Sequence, residues 1–210
     1  MAERTGERAL AARAPSPLIS RQTKHVPTRA ERFLDHLDKL SGGIEPRFFP
    51  LESTKPGLKG LTVIVWDDLP EAGMITGVTY GLSLAEHPEW RLGRPELCIS
   101  VRSNDLNWPL AMGHLAETQR RHNPFHHGDT INFGERIATE SVMTAFLISA
   151  PPVLDRADYT GIDVGEELPV NITGLYPIHD GERRFINKHG LETFWNRDWD
   201  PHDVHREAVA

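Results

Sequence analysis

The residues best equipped for chemistry in this sequence are His114, His122, His126, His127 and Asp129. Imidazoles beside a carboxylate are the ligand types zinc prefers. Their spacing argues against that use. His114 and His122 stand eight residues apart in a helix-like stretch, roughly two turns, whereas His126-His127 are adjacent in a loop and match no ligand pattern. Neither metal nor cofactor is expected, and a hydrolase built on these histidines is the least favoured reading of function. A second candidate is the carboxylate cluster Asp67, Asp68 and Glu71. Crowded acids push one pKa upward and can serve acid–base work, but no nucleophile or oxyanion donor lies beside them. They read as a solvated turn or as a recognition patch for a basic partner. Further on, Trp195 and Trp199 flank Asn196-Arg197-Asp198, with Asp200 and Asp203 beyond. Aromatic anchors rimmed by acid suit an interface hot spot, and the plain alternative is that Trp195 closes the core while Trp199 covers a helix end. Trp199 and Asp200 join the acids as candidate partner-binding residues. Cys98 is the only cysteine, so a disulfide within the chain and a Cys-based zinc site are excluded. It alternates with Leu97, Ile99 and Val101, which marks a buried, inert thiol.

Those side chains need a scaffold, and the composition supplies one. The chain has 210 residues, 39% apolar and 25% charged, enough for one domain with a packed core and far from the disordered regime. The longest apolar run, Leu61 to Trp66, is much shorter than the about 20 residues of a membrane-spanning helix. No apolar stretch follows the first basic residues, so a secretory signal is not expected and the cytoplasm is. Residues 1–32 hold seven Arg or Lys against three Glu, a balance of +4; with a net −7 overall, residues 33–210 carry −11. An acidic body repels nucleic-acid phosphate and steers basic partners toward it.

The pattern along the chain is that of an α+β domain. Residues 1–27 read as a flexible basic tail, residues 28–197 as the folded domain, and residues 198–210 as a frayed end. Thr28-Arg29-Ala30-Glu31 has the form of a capping box, and Ala30, Phe33, Leu34, Leu37 and Leu40 follow at helical spacing up to Gly42-Gly43. Strands are predicted at Arg47–Phe49, Leu61–Trp66, Met74–Leu84, Glu96–Ser103, Met143–Ser149 and Leu168–Tyr176. Gly77 and Gly81 mark a bulge or a close backbone approach in the third of these. A second helix is expected over Trp108–His122 with Asn107 as its cap and Pro109 in its first turn. Helical pieces close the pattern at Glu182–Lys188 and Leu191–Trp195.

Several segments in this order resemble the suppressor-of-fused family. They are Gly77-Val78-Thr79-Tyr80-Gly81-Leu82-Ser83, Arg94-Pro95-Glu96-Leu97-Cys98-Ile99-Ser100, a helix opening at Asn107-Trp108-Pro109, Gly128-Asp129-Thr130-Ile131, the strand ending Ala150-Pro151-Pro152, Leu175-Tyr176-Pro177-Ile178-His179 with Glu182, and His189-Gly190-Leu191-Glu192. The resemblance covers about residues 30–197. It implies a mixed, mostly antiparallel sheet with helices packed around it, no catalytic residues, no cofactor, and action by holding a protein partner. In animals such proteins sequester a transcription factor, and many bacterial single-domain members look like immunity proteins against secreted toxins. This chain lacks the second domain that helps form the animal partner groove, which makes it a single-domain, bacterial-type member. Five lysines against eighteen arginines point the same way, to a GC-rich bacterial source. The resemblance implies family positions at Gly77, Tyr80, Gly81, Glu96, Gly128, Asp129, Pro177 and Glu182. Tyr80 and Glu96 read as architectural, Pro177 as a strand stop, and Glu182 as a favourable charge at a helix N-terminus. The expected function is a stoichiometric inhibitor or antitoxin that docks on a basic toxin domain, with an adaptor binding through a sheet edge as the alternative. Neither reading involves nucleic acid or a membrane.

Overall fold

The computed structural model describes residues 25–151 and 153–210. The expected basic tail over 1–27 lies outside them up to residue 24. Helix α1, Arg29–Ser41, begins where its capping box predicts. The Glu31 N–H donates to Thr28 Oγ1 at 3.3 Å, and the Thr28 N–H donates to Glu31 Oε2 at 2.6 Å. Gly42 ends it in the left-handed region at φ 69°, where a side chain would be strained. Four strands follow: β1 Arg47–Leu51, β2 Leu61–Asp67, β3 Ile75–Tyr80 and β4 Arg94–Val101. Then come α2 Asn107–Gln119, β5 Thr130–Asn132, β6 Ala145–Ser149, α3 Arg156–Tyr159, β7 Val170–Ile178, α4 Asp180–His189 and α5 Leu191–Trp195.

The strands form one seven-stranded sheet in the order β1-β2-β3-β4-β7-β6-β5. Every pairing is antiparallel except β4 with β7. A parallel pair needs a crossover, and α2 begins it on one face of the sheet. There α2 packs Trp108, Met112 and Leu115 against Leu61, Val63 and Val65 of β2 and Leu97 and Ile99 of β4. On the opposite face, Phe33 and Leu37 of α1 cover Ile64, Trp66, Val78, Cys98 and Ile172. Farther along that face α4 and α5 place Ile186 and Phe194 over Leu147, Tyr176 and Ile178. Burying Phe33 or Phe194, each fully enclosed, contributes roughly 1.5–3 kcal/mol. Among the described residues no helix is long and apolar enough to cross a membrane.

Several boundaries differ from the sequence pattern, each for a local reason. The third predicted strand stops at Tyr80, because Gly81 turns the chain at φ 123° into a short 3₁₀ segment, Leu82–Leu84. Helix α2 takes Asn107 as its first residue instead of its cap; the Asn107 N–H donates to Asp105 Oδ1 at 2.9 Å. Pro177 does not end its strand, which runs to Ile178. The β4 pairing with β7 reaches only Gly174, while Pro177 still sits opposite Phe146 of β6. Its missing N–H therefore costs no ladder bond on the β4 side. The end over 198–210 does not fray. Val204 is 2% exposed, its carbonyl accepts from Ser141 Oγ at 2.6 Å, and the Arg102 N–H donates to His202 O at 2.8 Å.

Gly77 is the close approach the sequence anticipates. A Cβ there would stand 2.5 Å from Pro109 Cβ, and one at Gly113 would stand 2.3 Å from Val63 Cγ2. Glycines on both partners let α2 sit down on the sheet. Gly77→Ala should lower stability by about 1–3 kcal/mol, read as a reduced urea midpoint at unchanged slope; a variant as stable as the parent would mean that α2 can lift off without cost.

Candidate interaction surface

The buried ionisable groups decide what is left for the surface. Glu96 of β4 is fully enclosed. Its carboxylate accepts from Thr79 Oγ1 at 2.6 Å, from the N–H groups of Gly81, Leu82 and Ser83 at 2.8, 3.3 and 3.1 Å, and from the Ser83 hydroxyl. The positive φ of Gly81 curls the 81–83 turn so that three successive amides converge on one anion. Desolvation pushes the Glu96 carboxyl upward, against the pull of the Ser83, Thr79 and Gly81 donors. Arg29 of α1 donates to Ser83 Oγ at 2.7 Å, so the same turn also anchors the first helix. Glu117 and Arg120, both buried, pair at 2.5 Å, and they hold the β1–β2 loop through Thr54 N at 2.7 Å and Ser53 Oγ at 2.6 Å.

Glu182 closes the other side of the molecule. It caps α4 by accepting from the His179 N–H at 2.9 Å, and it takes both guanidinium nitrogens of Arg206 at 2.5 and 2.8 Å and the Val209 N–H at 3.0 Å. Desolvation alone would raise its carboxyl, but the Arg206 hydrogen bonds and the Val209 and His179 amides outweigh it and hold it below its ordinary value. Burial pushes the Cys98 thiol up to about 12, consistent with its enclosed place under α1.

The exposed candidates are arranged differently from one another. Asp67, Asp68, Glu71 and Asp200 all lie at the end of the sheet where β2 and β4 terminate. Arg47 takes Asp67 at 2.6 Å, and Arg102 takes Asp200 at 2.7 Å and Glu71 at 3.8 Å. Glu71 of the turn and Asp200 near the C-terminus, distant in sequence, thus share one arginine. Asp68 is occupied too: it adopts φ 54° and accepts from the Gly73 N–H at 2.8 Å. Four carboxylates with two arginines leave a patch of modest charge. Trp199 is half-buried, packing at a tilt against Phe194 at 4.9 Å with the Arg206 guanidinium over its ring at 4.8 Å. Trp195 is the freer of the two at 41% exposed, while neighbouring Phe194 closes the core. The histidines are dispersed. His114 and His122 are exposed on and after α2, His126 faces Glu89 at 3.5 Å, and His127 meets Ser149 Oγ at 3.3 Å. Asp129 accepts from the His126 N–H at 3.0 Å. Among the described residues no group of three or more His, Cys, Asp or Glu is placed to hold a metal ion.

A family model described as suppressor of fused protein matches residues 57–207, most of the chain. The chain belongs to the suppressor of fused family. Three solved structures share the fold. A suppressor of fused homologue from Neisseria gonorrhoeae matches with a TM-score of 0.68 at 23% identity, over 85% of this chain and 95% of that one. Drosophila Suppressor of Fused matches with a TM-score of 0.63 at 15% identity, over 86% of this chain and 51% of its own; this chain spans about half of it. A chain of the Sufu–Fu complex matches with a TM-score of 0.65 at 14% identity, over 87% of this chain and 93% of that one. Comparison with curated protein sequences finds no match.

The positions through which this chain resembles suppressor of fused proteins are occupied by structural work. Gly77 admits α2, and Tyr80 stacks on Phe33 at 5.7 Å under Arg29. Gly81 and Glu96 form the anion turn, and Gly128 donates its N–H to Ile148 O at 2.8 Å at the start of β5. Arg206, Glu117 and Arg120 escape sequence reasoning. Glu117 and Arg120 show helical spacing, but such a pair ordinarily sits in solvent, and nothing local announces that Arg206 reaches Glu182.

The lowered Glu182 carboxyl has a consequence of definite sign. The folded state binds that proton more weakly than the unfolded chain, so stability is present above the ordinary glutamate pKa and lost as pH falls through the folded value. Glu182→Gln should cost about 3 kcal/mol near neutral pH. The gap between parent and variant should shrink on acidification from about pH 5 to about pH 3; Glu96, shifted the other way, is common to both and drops out. A gap that does not change with pH in urea unfolding would refute the ion pair's role.

Proposed function

We propose that this chain is a non-catalytic protein-binding domain that acts by occupancy, as a stoichiometric inhibitor or immunity protein, docking on a basic toxin domain. The observation that carries this reading is where the buried carboxylates point. Glu96 and Glu182 accept from donors of the fold itself, and buried Glu117 is paired with Arg120 and held by Thr54, so none faces a cleft as a free acid or base. What the molecule offers is surface, on a body that carries −11 over residues 33–210. A chain of similar fold comes from the Sufu–Fu complex, which supports a protein as the kind of partner. The −11 body supports a basic one, since acidic surfaces steer cations at long range.

Binding by strand addition at a sheet edge, the adaptor reading, has less to work with. At one edge β1 carries Pro50 opposite Thr62 of β2, with Pro46 just before the strand. Proline at an edge turns its missing N–H outward, so Phe48 is left as the one donor between two prolines. The other edge, β5, is three residues long. Short, proline-bearing edges are how sheets avoid unwanted pairing.

The test is to co-express the chain with the product of its neighbouring gene and to measure complex formation by calorimetry and by the partner's activity. A one-to-one complex that silences the partner and leaves it chemically unchanged is expected. Its association rate should fall steeply as salt rises above about 0.1 M. Inhibition that needs far less than one equivalent, or that leaves the partner modified, would instead show catalysis.

A further inference from the structure

An apolar groove lies on the α1 side of the sheet, between α1 and β1, and its surroundings select what can fill it. Trp66 forms its floor, 4% exposed and fixed by its indole N–H donating to Ile44 O at 2.9 Å. Leu34 and Leu37 line it from α1, Ile44 and Phe48 from the chain around β1. Ile44 and Phe48 remain 45% and 52% exposed, apolar area whose covering would favour association. The groove measures about 260 Å³, below the roughly 300–1,000 Å³ typical of small-molecule pockets. A side chain of a polypeptide fits it better than a whole metabolite.

Charge narrows the occupant further. Asp35 and Asp38 line the same groove, one helical turn apart on neighbouring positions of α1. Glu45, exposed, adjoins Ile44. Among the described residues none of the three is in an ion pair, and the exposed Lys39 of the last turn pairs with neither aspartate. The contrast is with Asp67, Glu71 and Asp200, which Arg47 and Arg102 already hold. An apolar slot with unpaired carboxylates on its rim penalises acidic segments and complements cationic ones.

Resting on the partner-binding reading above, we propose that this groove receives an apolar side chain from a cationic segment of a protein partner, with flanking Lys or Arg on Asp35 and Asp38. The test selects random peptides displayed on phage against the full chain, then measures the recovered peptides by fluorescence anisotropy. They should carry Lys or Arg on both sides of an apolar residue. Phe48→Glu should weaken them by about tenfold or more. The double variant Asp35→Asn, Asp38→Asn, at two exposed sites, should weaken them about tenfold at low salt and less than about twofold in roughly 0.5 M salt. Leu92→Ala, at an exposed site just before β4 and outside the groove, should change nothing. Acidic or uncharged peptides, or binding that survives Phe48→Glu, would overturn the proposal. So would a dimer of the chain that dissociates in Phe48→Glu, because a second copy would then own the groove. In either case the one-to-one complex with the neighbouring gene product would be unaffected, so the two readings fail separately.

Discussion

The structure turns on a buried anion. Glu96 sits inside the sheet with no solvent access, and the backbone of the 81–83 turn exists in its observed form because three amides and two hydroxyls must reach that carboxylate. A buried carboxylate without donors would be far too costly to keep. With them, it ties β3 and β4 to the following turn, and through Ser83 it fixes the start of α1 by way of Arg29. Glu182 plays the matching part at the opposite end, gathering α4, Arg206 and the last residues into one knot. Both acids are fasteners, and neither is left with a lone pair aimed at a cavity.

That division of labour shapes how the surface works. Ionisable groups inside are spent on the fold, and the remaining acids lie outside, where they influence the rate and choice of association more than its strength. Their arrangement is uneven. At the end of the sheet the carboxylates are largely answered by Arg47 and Arg102, whereas among the described residues Asp35 and Asp38 of α1 and Glu45 before β1 stand in no ion pair, beside exposed apolar side chains. A preformed surface of this kind needs little ordering on binding, which reduces the entropic cost of association.

Local signals in the sequence carry much of this fold. The Thr28–Glu31 box, the alternation around Cys98 and the glycine at 77 each act within a few residues, and α1, β4 and the seat of α2 follow from them. The order of motifs locates the family for the same reason. What the sequence conceals is long-range pairing. Nothing near Arg206 says that Glu182, 24 residues upstream, is its partner, and so residues 198–210 look polar and loose when they are pinned. The three residues of β5 and the four of α3 are too short for periodicity to register. The surface acids illustrate the limit best: Asp67, Glu71 and Asp200 are visible as acids, but only the fold shows that Arg47 holds the first and Arg102 the other two.

Glu96 is a closed structural fastener, enclosed by the sheet and met by the donors of its own turn. Native-state hydrogen exchange at the Gly81, Leu82 and Ser83 amides tests that closure most directly. If it holds, these amides exchange only when the whole domain unfolds, with an opening free energy equal to global stability. Exchange through small local openings, far below that free energy, would show a turn that admits water to the carboxylate and would contradict the account.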